Sequence, residues 1–248
     1  MIRAIDSVIE RRLLVNYRVA PQRVAELLPA PFRPQLVNGY AVAGVCFLRL
    51  GRARPARLPG AAGLTSENVA HRFAVEWDDA HGCQAGVWVP RRETSSRIAA
   101  AAGGHAFPGA YHLARFQVTE SGGAISIQVR SHDGHVSLAV RATPAETFMS
   151  TLFPTLDDAT DFFRRGSLGL SPSGAHGVDG ICLQAASWAA RPVVLSQMRS
   201  SLFDDPAIFP GGTCELDSAM LMTNIAARWT REGPLSLAGR VSAETRPG

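Results

Sequence analysis

Residues 68 to 77, Asn-Val-Ala-His-Arg-Phe-Ala-Val-Glu-Trp, alternate between two kinds of side chain. A strand points successive side chains to opposite faces, so this run has one face of Val69, His71, Phe73, Val75 and Trp77 and another of Asn68, Ala70, Arg72, Ala74 and Glu76. The first face is made for packing. The second mixes long polar groups with alanines that leave room beside them, which suits the wall of a polar cavity. Arg72 and Glu76 stand about 13 Å apart at about 3.3 Å per residue, and are expected to find partners on neighbouring strands or a ligand. A one-residue slip in pairing would exchange the two faces and leave both groups in solvent.

Strand-like runs recur along the chain. Leu13–Val19 reads as a strand and Pro21 to Leu28 as a short helix with Pro21 in its first turn, stopped by Pro29, Pro31 and Pro34. Residues 35 to 50 read as a long strand broken at the hairpin signal Asn38-Gly39, and Arg52 to Gly63 as a loop. A turn over Asp78 to Gly82 leads into a strand at Cys83–Pro90. Thr94 to Ala102 turns helical, with Thr94 or Ser95 as cap and Gly103-Gly104 as terminator. Tyr111–Thr119, Ala124–Ser131 and His135–Ala142 form a meander. Leu156 to Arg165 is the clearest helix: Thr155 caps it, Asp157 and Asp158 open it, Arg164 and Arg165 close it, and Leu156, Ala159, Phe162 and Phe163 form its apolar stripe. Ser167 to Gly180 reads as a Gly/Ser/Pro loop, followed by strands at Ile181–Trp188, Val193–Leu202 and Thr213–Asn224. With no internal repeat and no long linker, the expectation is one α+β, mostly antiparallel, barrel- or cone-like domain over residues 1–248.

Composition narrows the chemistry. Hydrophobic residues at 46% and charged residues at 19% suit a globular core. Cys46, Cys83, Cys182 and Cys214 form no Cys-x-x-Cys pair, so no zinc site or disulfide framework is expected and a reducing cytoplasm fits best. Met1 to Arg12 lacks an apolar signal core, and no apolar run approaches the roughly 20 residues of a membrane helix. All 25 Lys-plus-Arg residues are arginine, so no internal lysine Schiff base can form. A net charge of +4 could hint at nucleic acid, but the arginines are scattered and aromatics are only 7%, which describes an ordinary mixed surface.

Phosphate-loop, dinucleotide, His-Glu-x-x-His and Gly-x-Ser-x-Gly signatures are absent. His132 and His135 flank a turn, and the carboxylates of Glu215 and Asp217 near Ser218 either bind something or face water. The segment Pro90-Arg91-Arg92-Glu93-Thr94-Ser95-Ser96-Arg97 carries three guanidiniums into a helix N-terminus, a corner suited to a carboxylate. Alternatively, Glu93 with Asp78 or Asp79 neutralises these arginines in a surface network.

Leu14-Val15-Asn16-Tyr17 through Ala25-Glu26-Leu27-Leu28-Pro29-Ala30-Pro31-Phe32 resembles the opening of the acetoacetate-decarboxylase-like superfamily. Thr65-Ser66-Glu67-Asn68, Pro90 to Ser96, Phe203-Asp204-Asp205-Pro206 and Leu216-Asp217-Ser218-Ala219 are similar to an uncharacterised bacterial branch of it. The resemblance implies a β-rich barrel or cone with a central cavity, assembled into homo-oligomers. The decarboxylases carry their Schiff-base lysine in Gly-Phe-Pro-Lys-Lys; the nearest match here is Ala106-Phe107-Pro108-Gly109-Ala110, without either lysine. By the same resemblance Glu76 matches an active-site glutamate, and Arg11 or Arg12 a substrate arginine.

The expected function is binding of a small organic acid or carbonyl compound, without cofactor or metal. Glu76 would polarise or move a proton, with Arg72, Arg91 and Arg97 on the anion side and Glu67, Asn68, Arg92, Ser95 and Arg12 completing the ligand contacts. Lysine-free acid–base catalysis and a non-catalytic binding or regulatory module both fit this site. An open pocket with convergent polar groups favours the enzyme, a closed apolar one the module, and no pocket at all a structural oligomer.

Overall fold

The computed structural model describes residues 2–58, 63–102, 109–173 and 177–233. In chain order the elements are β1 (Ala4–Val19), α1 (Pro21–Ala25), β2 (Arg33–Pro34), β3 (Leu36–Val37), β4 (Tyr40–Pro55), β5 (Leu64–Asp79), β6 (Gly82–Trp88), β7 (Arg92–Thr94), α2 (Arg97–Ala102), β8 (Tyr111–Ser121), β9 (Ala124–Ser131) and β10 (Ser137–Pro144). After these come α3 (Leu156–Arg165), β11 (Leu168–Ser173), β12 (Gly177–Ala185), β13 (Arg191–Ser200) and β14 (Cys214–Glu232).

One sheet contains all the strands, and it closes on itself twice. A wide ring runs β4-β5-β7-β8-β9-β10-β13-β14-β1 and back to β4. A narrower ring runs β5-β6-β11-β12-β14-β1-β4 and back to β5. The two share β1, β4, β5 and β14, which are also the longest strands. Pairing is antiparallel except for β6 with β11 and β7 with β8. This is the mostly antiparallel, ring-like α+β architecture expected from the sequence.

Sharing strands gives each of them two buried faces. Leu13, Val15 and Tyr17 of β1, Val69 and Phe73 of β5, and Ile127, Leu138 and Val140 of β9 and β10 pack together inside the wide ring. Leu14, Val42, Ala74 and Met220 turn the other way, onto Phe162 and Phe163 of α3. The packing face predicted for residues 68–77 is thus wholly buried: Val69, His71, Phe73, Val75 and Trp77 are each at most 4% exposed.

Helix α3 has the bounds its sequence predicts. The Thr155 hydroxyl accepts from the Asp158 amide, while the Asp158 carboxylate accepts from the Thr155 amide, a reciprocal cap that stabilises by about 1 kcal/mol. The Asn38-Gly39 hairpin also forms, with φ of 50° and 81°, the left-handed pair its tight turn demands.

Elsewhere tertiary pairing overrides local sequence. Much of the segment expected as a loop, Ser167 to Gly180, is instead β11 and the start of β12; β11 pairs with β6 and β12, and its Leu170 and Ser171 are buried. Thr94 lies in β7 rather than in a helix, because Arg92 to Thr94 bridges β5 and β8, and α2 begins only at Arg97. Helix α1 ends at Ala25, and β14 continues past Asn224 to Glu232 because β12 pairs with its second half. The expected terminator Gly103-Gly104 and residues Ala106, Phe107 and Pro108 lie outside the described residues.

Candidate functional site

Register alone assembles an unusual group on the α3 side of the shared strands. In β4, Cys46 stands opposite Leu14 of β1 and Ala70 of β5. Ala70 in turn pairs with Arg92 of β7. Arg72 stands opposite Gly44, two residues before Cys46, and Arg12 opposite Leu48, two residues after it. Adjacent strands lie about 4.8 Å apart and diagonal neighbours about 7–8 Å apart, so Arg12, Arg72 and Arg92 surround Cys46. Small residues make the floor: Gly44, Cys46 and Ala70. At Gly44 a β-carbon would sit 2.2 Å from the Val15 carbonyl oxygen and 3.2 Å from Arg72 Nη2, so a side chain there would clash with β1 as well as crowd the guanidinium.

Each guanidinium rests on an aromatic ring. Arg72 lies 4.3 Å over Phe163 of α3, Arg12 5.2 Å over Trp188 and Arg92 5.8 Å over Tyr111. Arg72 donates from Nη2 to Asn16 Oδ1, and Asn16 donates to Ser218 Oγ at 3.1 Å. Arg92 donates from Nη1 to Ser171 Oγ of β11. Gly109, the position the decarboxylase resemblance gives to the first lysine, packs directly against this group: a β-carbon there would sit 2.3 Å from Arg92 Nη1.

The charges of this cluster are unmatched. Among the described residues, no carboxylate pairs with Arg12, Arg72 or Arg92. Arg72 is only 3% exposed, and its Nε and Nη1, like Arg12 Nε, are buried with no acceptor. Burial, reinforced by Arg12 and opposed by Cys46, brings Arg72 down to about 10 from the ordinary arginine value. Burial likewise lowers Arg92 against the opposing influence of Tyr111 and Cys46. The Tyr111 hydroxyl is raised by the same burial.

On the wide-ring face the same strands carry a matched network. Arg49 donates to Glu10 Oε2 at 2.7 Å and to Glu67 Oε1 at 2.8 Å, while Arg11 bridges Glu67 and Glu120. This ladder lines a cavity of about 570 Å³ at the mouth of the ring, with Arg52, Arg191, Thr223 and Asn224. Deeper in, Glu93 is fully buried and accepts from Arg91, which also reaches Asp133 at 2.5 Å. Burial raises the Glu93 carboxyl despite that arginine. His71 meets Ser200 Oγ at 3.1 Å, and burial brings it down to about 4.

The residues singled out in the sequence therefore divide. Arg12, Arg72 and Arg92 converge, with Asn68 farther along the same face of β5. Glu76 shares that face but pairs with Arg33 at 3.6 Å, four residues along β5 from Arg72, and Glu67 belongs to the ladder. Arg91 serves Glu93 and Asp133; Ser95 accepts from the Glu67 amide, and Arg97 is exposed on α2. Asn16, Cys46, Tyr111, Phe163, Ser171 and Trp188 were not singled out. For Asn16, Cys46, Tyr111 and Ser171 the signal was alternation on neighbouring strands, readable only once the register is known, while Phe163 lies on α3 and Trp188 between β12 and β13. Asp217, weighed as a site group, accepts from Ser150, Thr151 and the Leu152 amide and so anchors the segment before α3. Among the described residues no three His, Cys, Asp or Glu side chains gather as a metal site, and no helix is long and apolar enough to cross a membrane.

Solved structures share this architecture. Acetoacetate decarboxylase from Legionella pneumophila superposes with a TM-score of 0.58 at 10% identity, covering 93% of this chain and 87% of that one. An acetoacetate decarboxylase-like enzyme from Sphingomonas wittichii RW1 gives 0.59 at 12% identity, covering 94% and 92%. The enduracididine biosynthesis enzyme MppR, complexed with pyruvate, gives 0.55 at 12% identity, covering 95% and 90%. At such identities the likeness establishes the fold: this is an acetoacetate-decarboxylase-like protein in architecture. No curated protein matches it in sequence. A family model does match residues 8–162, more than half of the chain, and the chain therefore belongs to the family DUF2071, described as an uncharacterized conserved protein.

Proposed function

We propose that this protein binds a small carboxylate of the 2-oxo-acid class in the groove formed by Arg12, Arg72 and Arg92. The observation that carries this reading is the buried, acceptor-free donors of Arg72 and Arg12 beside a third arginine, with no carboxylate among the described residues paired to them. Burying an unpaired guanidinium costs several kcal/mol, and a carboxylate offers the two-pronged acceptor that offsets it. A fold neighbour holding pyruvate supplies the class: a carboxylate next to a carbonyl carbon. The floor residues are small, and the aromatic rings under the guanidiniums fix their planes.

With no lysine, turnover on the Schiff-base route is not available to this chain. Among the described residues the proton-bearing groups beside these arginines are Cys46, Tyr111 and Ser171, and Glu76 lies outside the cluster. The test is calorimetric titration of the full chain with pyruvate, with the pyruvate carbons followed by NMR for turnover. Saturable binding is expected, weakened at least tenfold by Arg92→Met. Affinity unchanged in that variant would discard the groove as the site.

A further inference from the structure

Among the described residues Cys46 is the one thiol ringed by these three guanidiniums, and resting on the carboxylate-binding reading above, we infer that it adds covalently to the bound 2-oxo acid. An isolated half-buried cysteine is ordinarily a small apolar filler. Three features set this one apart. It occupies the centre of the triangle, with Arg92 across Ala70 and with Arg72 and Arg12 on its two diagonals. It is only partly buried, at the edge of the apolar cluster of Leu14, Phe163 and Met220. Arg72, more than nine-tenths buried, has donors in the same groove with no acceptor.

The chemistry balances without a cofactor. The sulfur attacks the carbonyl carbon of the 2-oxo acid and one S–C bond forms. The C=O π pair moves to oxygen, which takes the proton the thiol gave up. The product is a hemithioketal, with no net oxidation and no leaving group, and expulsion of the thiolate reverses the step. The guanidiniums hold the carboxylate and face the developing alkoxide, the place where positive charge stabilises an addition most. A thiol would thereby occupy, in a lysine-free chain, the nucleophile's role.

Alkylation of the intact chain by iodoacetate and by iodoacetamide tests this, with each cysteine quantified by peptide mass spectrometry. Cys83 serves as an internal reference: it is exposed, and its neighbour Arg33 is already paired with Asp78. Cys46 is expected to react with iodoacetate at least tenfold faster than Cys83, to be protected by pyruvate, and to lose its preference for the charged reagent in Arg92→Met. With [2-¹³C]pyruvate, a new tetrahedral carbon distinct from pyruvate hydrate is expected in the native chain and not in Cys46→Ser. If pyruvate binds but Cys46 reacts no faster than Cys83 with either reagent, the nucleophile is refuted and the binding site stands. If pyruvate does not bind while Cys46 still outpaces Cys83 with iodoacetamide, the thiol is reactive but the carboxylate reading falls, and the hemithioketal with it.

Discussion

Arg11 and Arg12 are neighbours in β1, yet they live in opposite electrostatic worlds. Arg11 faces the wide ring and is held by Glu67 and Glu120. Arg12 faces the groove with Arg72 and Arg92 and, among the described residues, meets no carboxylate. The contrast separates two uses of one residue type. A guanidinium matched by carboxylates is part of the wall, and its removal is felt in stability. A guanidinium left unmatched in a partly buried groove is held at a cost to the fold, and its removal is felt in ligand affinity. The largest effect is therefore expected on the matched side. Glu67→Ala strands Arg11 and Arg49 with one carboxylate each and should cost about 3 kcal/mol of unfolding free energy in urea, with pyruvate affinity unchanged. A loss of affinity without a loss of stability would invert the assignment.

The two faces also differ in what titrates. His71, on the wide-ring face, is brought down to about 4 from an unfolded value near 6.5. Between those values the unfolded chain binds the proton and the folded one resists it, so stability falls as pH drops from 6.5 to 4. The full difference amounts to about 3 kcal/mol at 1.36 kcal/mol per pH unit. Glu93 has the opposite sign: its raised carboxyl gives stability that is present at low pH and lost as pH rises. Comparing the native chain with His71→Gln by urea unfolding at pH 4.5 and pH 7 isolates the histidine. The loss on acidification should be smaller by roughly 2 kcal/mol in the variant. Equal losses in both chains would exclude His71 as the source.

On the groove face the readout is affinity. A charge-assisted hydrogen bond contributes about 1.5–3 kcal/mol, so Arg92→Met should weaken pyruvate binding by about ten- to a hundredfold while the chain stays folded. The Arg72→Met variant adds a sharper contrast, since it removes a buried charge with unsatisfied donors. Binding should fall similarly, without the stability loss that Glu67→Ala brings.

Much of this division was legible before any coordinates, and the limit has a physical cause. Alternation within 68–77 put Arg72 on the face away from Val69 and Phe73, which depends only on the pleat. The helix at Leu156 to Arg165 was legible because its cap, dipole charges and apolar stripe are all local. The groove was only half legible. Arg12, Arg72 and Arg92 are far apart in sequence and meet through register across β1, β4, β5 and β7, which no local signal sets. Glu76 was placed in the same site because period two puts it on Arg72's face, but a strand separates groups on one face by distance as surely as it separates the two faces. Ser167 to Gly180 read as a loop because glycine and serine carry little strand preference, and its strands exist only because β6, β11 and β12 pair.

The smallest effect probes why the unmatched residues are arginines at all. Arg12 is half-buried, lies over Trp188 and sits 4.0 Å from the Met222 sulfur, so its plane is fixed by packing rather than by a counter-charge. Arg12→Lys keeps the charge and loses the fork and the stacking surface. If charge alone recruits the carboxylate, as it would at a solvated rim, the substitution is silent. If a flat, oriented donor pair matters, the loss is of the order of the stacking contribution. That is about 0.5–1 kcal/mol, a two- to fivefold weaker titration with pyruvate. We expect the second result, because a groove that aligns each guanidinium on an aromatic ring is built for planar recognition. An Arg12→Lys chain that binds as tightly as the native one would reduce the groove to a patch of positive potential.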